Sequence, residues 1–343
     1  MKKFIVFLSM LLMITGFRYR SANVPEYPKA WPAPHYNFQQ EGFTLAKADV
    51  GRSLFYDPIL SADSTISCAS CHSPYNAFAH TDHALSHGIH DSIGNRNAPA
   101  LINLAWQSFY MWDGAIHHLD FQALAPMTNK AEMGGNLPDI LLKINRSAFY
   151  KEEFKKAFGD TVITGQEMLK SMAMFMASLI SQQAKYDSVM NHTATFTEQE
   201  QRGYTLFQQH CNSCHQEPLF TNGGFAANGL PADTMLNDKG RERITGNRAD
   251  AFFFKVPTLR NVAFTPPYMH DGRFKTLRQV LQHYTTPKSA GAVLSDDMKE
   301  IIHLSATEKT DLITFLMTLS DRSFVFNPQY TFPAKLLPKT ANK

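Results

Sequence analysis

The chain has little cysteine and little charge for its length. Of 343 residues only 4 are cysteines, too few to staple a disulfide-rich fold. Charged residues make up 18%, below the roughly 25% of an ordinary soluble chain. That leaves room for large buried cofactor surfaces. The net charge is +3 and no dense Lys/Arg block occurs, so a nucleic-acid partner is disfavoured. Sustained alternation of apolar and polar residues is missing, which argues for a mainly α fold. After the segment 4–17, no apolar run approaches the roughly 20 residues of a membrane span. What is present is a hydrophobic fraction of 44%. This supports a sizeable core, excludes a disordered chain, and at this length favours two domains.

Met1, Lys2 and Lys3 followed by the short apolar run 4–17 read as a secretory signal peptide ending near Ser21-Ala22. The remainder is therefore expected to be soluble and exported, in the periplasm. No cysteine follows the run, which argues against a lipoprotein anchor. The tail from Lys335 to Lys343 reads as a frayed end.

All four cysteines fall in Cys68-Ala69-Ser70-Cys71-His72 and Cys211-Asn212-Ser213-Cys214-His215. Each is C-x-x-C-H, the attachment pattern of a c-type haem. Two thiols add across the porphyrin vinyl groups, and the adjoining His is held beneath the iron. A shared zinc site, redox dithiols and structural disulfides are the competing readings. Zinc does not require a His after each pair, and no βαβ context for a thioredoxin-like motif is evident. Two such motifs with no cysteine left over therefore point to two haem c groups.

The chain also contains a degenerate duplication. Gly51 to Phe55 precedes the first haem motif as Gly203 to Phe207 precedes the second. Pro99 to Asn103 matches Pro257 to Asn261, and Tyr110 to Gly114 matches Tyr268 to Gly272. The later matches share one offset: 257 − 99 = 158 and 268 − 110 = 158. The cysteines differ by 211 − 68 = 143, so the loop after the second motif is longer. A repeat of this length implies two related domains, not a solenoid.

Capping boxes at Thr197/Glu200 and Ser305/Glu308 open helices, the second with Leu312, Phe315, Leu316 and Leu319 on one face. Thr164 to Met190 reads as one long helical stretch whose methionines belong to the core. The helix from Thr276 ends in His283 and Tyr284, both able to bind iron. Subtracting 158 places Ala125 and Pro126 opposite them, and neither can ligate. The second iron can then be six-coordinate and the first open, with the open haem suited to peroxide or oxygen. Trp112, Gln122 and Glu132 lie near Pro126 in the chain. A carboxylate such as Glu132 could move a proton between peroxide oxygens, with Gln122 assisting. Taken singly, all three are ordinary residues, as are His283 and Tyr284 at a helix end.

From about Ala46 to Leu319 the chain resembles the bacterial dihaem cytochrome c peroxidase family, including MauG-like enzymes. The resemblance is carried by Leu60 to Asp63, Ser67 to His72, Arg96 to Pro99, Trp112 to Gly114, Gln122 to Pro126 and Glu132-Met133. In the second half it is carried by Val256 to Asn261 and Pro267 to Gly272. It implies a mainly α fold of two cytochrome-c-like domains, each holding one covalent haem. Residues 23–190 would be the peroxidatic domain and 191–335 the electron-transfer domain, after a signal peptide at 1–22.

By matching motif positions, Cys68, Cys71, Cys211 and Cys214 attach the haems, and His72 and His215 are the proximal ligands. Trp112 would relay electrons between the haems. Gln122, Pro126 and Glu132 would line the peroxide pocket, with Glu132 the acid/base. A Ca²⁺ ion would take the Asn97 side chain and the Thr265 and Pro267 carbonyls, oxygen donors of the kind calcium prefers.

Two positions depart from the typical peroxidase. Tyr284 stands where Met is usual, as in MauG-like members, and a phenolate favours ferric iron. Ser86-His87-Gly88 resembles the loop that carries a removable distal His, with His87 the better match and His90 the weaker. The leading expectation is a periplasmic peroxidase reducing hydrogen peroxide with electrons from a small cytochrome c or cupredoxin. The alternatives are a MauG-like oxidase that modifies a protein substrate through high-valent haem, and a non-enzymatic dihaem carrier or sensor. Family members are often homodimers.

Overall fold

The computed structural model describes residues 24–336. The signal-peptide reading of 1–22 lies outside them. Among the described residues no helix is long and apolar enough to cross a membrane. Among the described residues the architecture is helical, and the only paired strands are Phe225–Ala226 and Phe254–Lys255, which run antiparallel.

Two apolar cores are built the same way. In the first, helix Leu45–Tyr56 crosses helix Gly165–Ala177. In the second, Glu198–His210 crosses Ala306–Met317. The repeated glycine explains both crossings. A Cβ on Gly51 would lie 1.9 Å from the Ser171 carbonyl oxygen, and one on Gly203 would lie 2.0 Å from that of Asp311. Only a residue without a side chain lets the backbones meet there. The Thr197/Glu200 and Ser305/Glu308 boxes both form, satisfying helix N-terminal amides. Met168, Met172, Met174 and Met176 are buried in the first core, and Leu312, Phe315, Leu316 and Leu319 in the second.

The stretch 164–190 is not one helix. It breaks after Ala177 and resumes at Lys185. The cause is a buried polar node between the domains. The Ser181 amide donates to Asn103 Oδ1 at 2.9 Å, and the Ser181 hydroxyl donates to Asp321 Oδ2 at 3.0 Å. The side-chain amide of Asn261 reaches the same hydroxyl at 2.9 Å. These bonds offer the backbone a better set of partners than a helix would. Asn103 and Asn261 are repeat equivalents, and both have positive φ (54° and 60°).

The end of the chain also departs from its expected place. Phe324 and Val325 are buried in the first core, not the second. Tyr56 donates to the Tyr330 carbonyl at 2.6 Å, and Lys335 Nζ pairs with Asp49 at 2.6 Å. Residues 321–336 thus form a strap across the N-terminal domain, and Lys335 is anchored instead of frayed. The assignment of 191–335 to one domain missed this because its apolar residues are too few to show which core they serve.

The domains meet through a pseudo-twofold pair of backbone bonds. The Asn97 amide donates to the His270 carbonyl at 2.7 Å, and the Lys255 amide donates to the Trp112 carbonyl at 2.7 Å. The offset of 158 relates both pairs: 97 + 158 = 255 and 112 + 158 = 270. Arg96 reinforces the contact, with Nε 2.6 Å from Asp238 and an Nη 2.6 Å from Asp113. Asp238 belongs to the longer loop of the second half.

Candidate active site and haem pockets

Each haem motif presents a histidine prepared to bind metal. Cys68–Cys71 forms one helical turn capped by Ser67, which delivers His72 at its end. His72 Nδ1 donates to the Phe78 carbonyl at 2.7 Å. That bond fixes the tautomer and leaves Nε2 with its lone pair free for a metal. Desolvation pushes the imidazole down to about 4, so the ring is neutral. His215 repeats the arrangement, with Nδ1 donating to the Pro257 carbonyl at 3.0 Å. Burial lowers its pKa also. None of the four cysteines is in a disulfide.

The second motif opens on a cavity of about 250 Å³ that is partly open to solvent. Cys211, Cys214, His215 and Tyr284 all line it, mostly among apolar side chains. A porphyrin fits this donor set: two thiols, an oriented imidazole, an apolar slot and a phenol. The structure also separates the two helix-end candidates. Tyr284 faces the cavity, whereas His283 Nε2 donates to the Asn228 carbonyl at 3.0 Å and its ring packs on Phe274. Burial raises the Tyr284 phenol above its ordinary value, and Asn228 Nδ2 approaches its oxygen at 3.4 Å.

In the first half, short hydrogen bonds hold the expected pocket residues. Glu132 is brought to it by a turn in which the Met133 amide donates to the Pro126 carbonyl at 3.2 Å. The Asn129 side chain donates to Glu132 Oε1 at 2.8 Å and sets the carboxylate's direction. Burial raises the Glu132 pKa, with Asn129 opposing. Burial, then the neighbouring Glu132 charge, pushes the Cys71 thiol up to about 11. One loop joins the two: Cys71 Sγ donates to the His87 carbonyl at 3.6 Å, and the Ile89 amide donates to the Glu132 carbonyl at 2.8 Å. Gln122 closes the helix end before Pro126, and its amide approaches Met111 Sδ at 3.9 Å. Met111 precedes Trp112, which lines the second cavity and donates its indole N–H to the Asn97 carbonyl at 2.9 Å. Trp112 thus lines the second cavity and follows directly the methionine that Gln122 approaches.

The two loop histidines part company. The His87 carbonyl accepts from Cys71 Sγ at 3.6 Å, and its ring stacks on His83 at 4.3 Å between centroids. His90 lies on the surface, 3.9 Å from Asp63. Gly88 allows the loop to press on the Glu132 turn, since a Cβ there would sit 2.3 Å from the Ala131 oxygen. Asn97, Thr265 and Pro267 line one cavity. Asn97 Nδ2 donates to the Ala84 carbonyl at 3.0 Å, turning its Oδ1 the other way. An amide oxygen and two backbone carbonyls from both domains suit a hard cation.

Sequence reasoning passed over three residues of the second cavity. Lys255 Nζ donates to Gln107 Oε1 at 2.9 Å, and desolvation pushes the ammonium down to about 8. Met269 lines the cavity, and Asn228 contacts both Met269 and Tyr284. The repeat held a signal for two of them, because an offset of 158 pairs Lys255 with Asn97 and Met269 with Met111. Asn228 sits in the longer loop and has no such signal.

Comparison with known proteins agrees with this architecture. Residues 45–195 match the family model for di-haem cytochrome c peroxidase, and residues 200–320 match that for cytochrome c. The methylamine utilization protein MauG of Methylophilus methylotrophus is 34% identical over 312 residues, covering 87% of this chain and 90% of that protein. The cytochrome c551 peroxidase of Nitrosomonas europaea is 35% identical over 246 residues, covering 68% of this chain and 71% of that one. A crystal structure of a MauG-like protein associated with microbial copper homeostasis superposes with a TM-score of 0.82 at 29% identity. It covers 90% of this chain and 98% of that one. With two cytochrome-c-like domains, each built to hold a covalent haem c, the chain belongs to the dihaem cytochrome c peroxidase and MauG family of oxidoreductases.

Proposed function

We propose that this protein reduces hydrogen peroxide to water in the periplasm, with electrons from a small cytochrome c or cupredoxin. The observation that carries the reading is the Glu132 carboxylate, aimed by Asn129 and tied to the first haem motif through the loop His87 to Ile89. Haem bound at both motifs would supply the electrons for O–O cleavage and a store for the next electron. The residues supply the rest. Glu132 accepts the proton of the oxygen near the metal and returns it to the departing oxygen. The Gln122 amide donates toward that oxygen as charge develops. Pro126 offers no ligating atom, so the substrate position stays free. Trp112 provides an aromatic bridge between the two pockets. Ca²⁺ at Asn97, Thr265 and Pro267 would fix the indole's hydrogen-bond acceptor, since that acceptor is the Asn97 carbonyl. Steady-state peroxide consumption with a pre-reduced donor tests the proposal. Turnover that depends on Glu132 supports it, and no turnover after full reduction overturns it.

Tyr284 favours a second reading. A phenol lining the second cavity would hold that iron ferric. This supports oxidation of a protein substrate, as the MauG relatives suggest. Tyr284→Met should then abolish partner oxidation and leave peroxide binding intact. Partner oxidation that survives the replacement would count against this reading.

A further inference from the structure

Asn228 occupies an unusual position in the second cavity. Its side-chain amide carries two N–H donors and directs them at two different potential ligands. It approaches Tyr284 Oη at 3.4 Å and Met269 Sδ at 3.5 Å. Both acceptors line the cavity that His215 lines. The amide is itself well placed. The Asn228 carbonyl accepts from His283, and its backbone bridges to Leu294.

Met269 is held there against its own backbone preference. Its φ is +77°, a region side-chain-bearing residues seldom adopt. Such strain persists where the surroundings impose it, often at functional positions. The first half repeats the device: Met111 has φ +68°, and its sulfur accepts from Gln122. In both halves the Tyr-Met-x-Asp-Gly turn therefore presents a methionine sulfur to an amide beside a haem pocket.

We propose that Met269 is a second axial ligand of the C-terminal haem, exchanging with Tyr284 according to the oxidation state of the iron. The proposal rests on the reading of Tyr284 as the ferric ligand. A phenolate is hard and anionic and prefers ferric iron, whereas a thioether is soft and neutral and prefers ferrous iron. On reduction, one electron from the donor protein enters the iron. The iron–oxygen bond to Tyr284 breaks, one proton from water restores the phenol, and a bond to Met269 Sδ forms. The sulfur is not oxidised, and loss of the electron reverses each change. Asn228 keeps the departing group in place, since it already donates to both. The exchange reconciles two demands on one haem: a tyrosine that favours oxidised iron and a need to accept electrons.

The test uses the full-length diferrous holoprotein and its Met269→Leu, Asn228→Leu and Tyr284→Phe variants. Magnetic circular dichroism reports the ligands, and carbon monoxide titration counts open irons. Met269→Leu should leave the ferric spectrum unchanged. In the ferrous form it should create a high-spin signal and bind one more carbon monoxide per chain than the wild type. Identical ferrous spectra and stoichiometry in the two proteins would overturn the exchange. Asn228→Leu should slow the ligand change after a reducing pulse, and an unaltered rate would remove Asn228 from the device. An unchanged ferric spectrum in Tyr284→Phe would instead overturn the Tyr284 assignment, and the exchange with it. Selenomethionine labelling keeps the test independent of any variant's folding. Iron-edge X-ray absorption should show an iron–selenium shell in the ferrous protein alone, and its absence there would overturn the proposal.

Discussion

Glu132 is ionisable, half-buried and held by one hydrogen bond, so its chemistry is set by its surroundings. Burial raises its pKa, which means that it protonates above the ordinary carboxylate range. As a base it must be ionised. Peroxide turnover should therefore fall as pH drops through this raised value, and Glu132→Gln should remove that limb. The rate loss should be roughly 10²- to 10⁴-fold, the usual worth of a positioned acid/base. A pH–rate profile for both proteins checks this, and an acid limb that survives in Glu132→Gln would contradict it. The same shift affects stability. A raised folded-state pKa contributes stability that is present in acid and lost as pH rises through it. Glu132→Gln should then melt above the wild type at neutral pH and level with it in acid, as thermal scans at several pH values would show. At this scale the sequence was readable wherever spacing encodes covalent chemistry. His72 and His215 follow their cysteines directly, and the structure adds only the carbonyls that fix their tautomers. It was unreadable for Asn228, whose role depends on a loop folding back onto a helix end.

Helix Leu45–Tyr56 and helix Glu198–His210 each depend on one glycine. Alanine there would gain about 1 kcal/mol in helix propensity. The new Cβ would meet a backbone carbonyl at about half the normal contact distance, and an overpacking cost of about 3 kcal/mol wins. Gly51→Ala and Gly203→Ala should therefore both lower the unfolding temperature, whereas Gly159→Ala meets nothing within 4 Å and loses only the ease of a positive φ. A melting temperature at or above wild type for Gly51→Ala would refute the close-crossing account. Capping boxes were legible because they are local. The break at Ser181 was not, because Asn103 and Asp321, which cause it, lie 78 and 140 residues away. Local propensity cannot register a distant partner.

The two domains are joined by charge as well as by backbone. Arg96 is the shared partner of Asp113 and Asp238, one carboxylate from each half and both nearly buried. Removing it leaves Asp113 without its cation and Asp238 with only Arg243 at 4.0 Å, and Arg96→Ala should cost about 3–5 kcal/mol. The exposed pair Lys156–Glu152 should be worth under 1 kcal/mol when broken. Denaturant unfolding of the two variants separates these cases, and equal losses would show that Arg96 carries no special weight. Calcium removal should act on the same seam, because Asn97 belongs to one half and Thr265 and Pro267 to the other. Chelation should speed proteolysis of the long loop around Asp238 and weaken coupling between the haems, measured as slower electron redistribution after a reducing pulse. An unchanged digestion pattern would argue against a cation there. The duplication was legible from the offset of 158, and with it the existence of a seam. Which charges occupy the seam was not, since Asp238 lies in the loop that breaks the repeat.

The strap sets an order of events during synthesis. Phe324 and Val325 belong to the core of the first domain, yet they follow the whole of the second domain's core in the chain. The second domain has its own core from residues 186 to 319 and can close earlier. The N-terminal core takes up Phe324 and Val325 only once the residues of the second core have been translated. A chain cut before residue 321 would therefore leave the core behind Cys68 incomplete while the one behind Cys211 is whole.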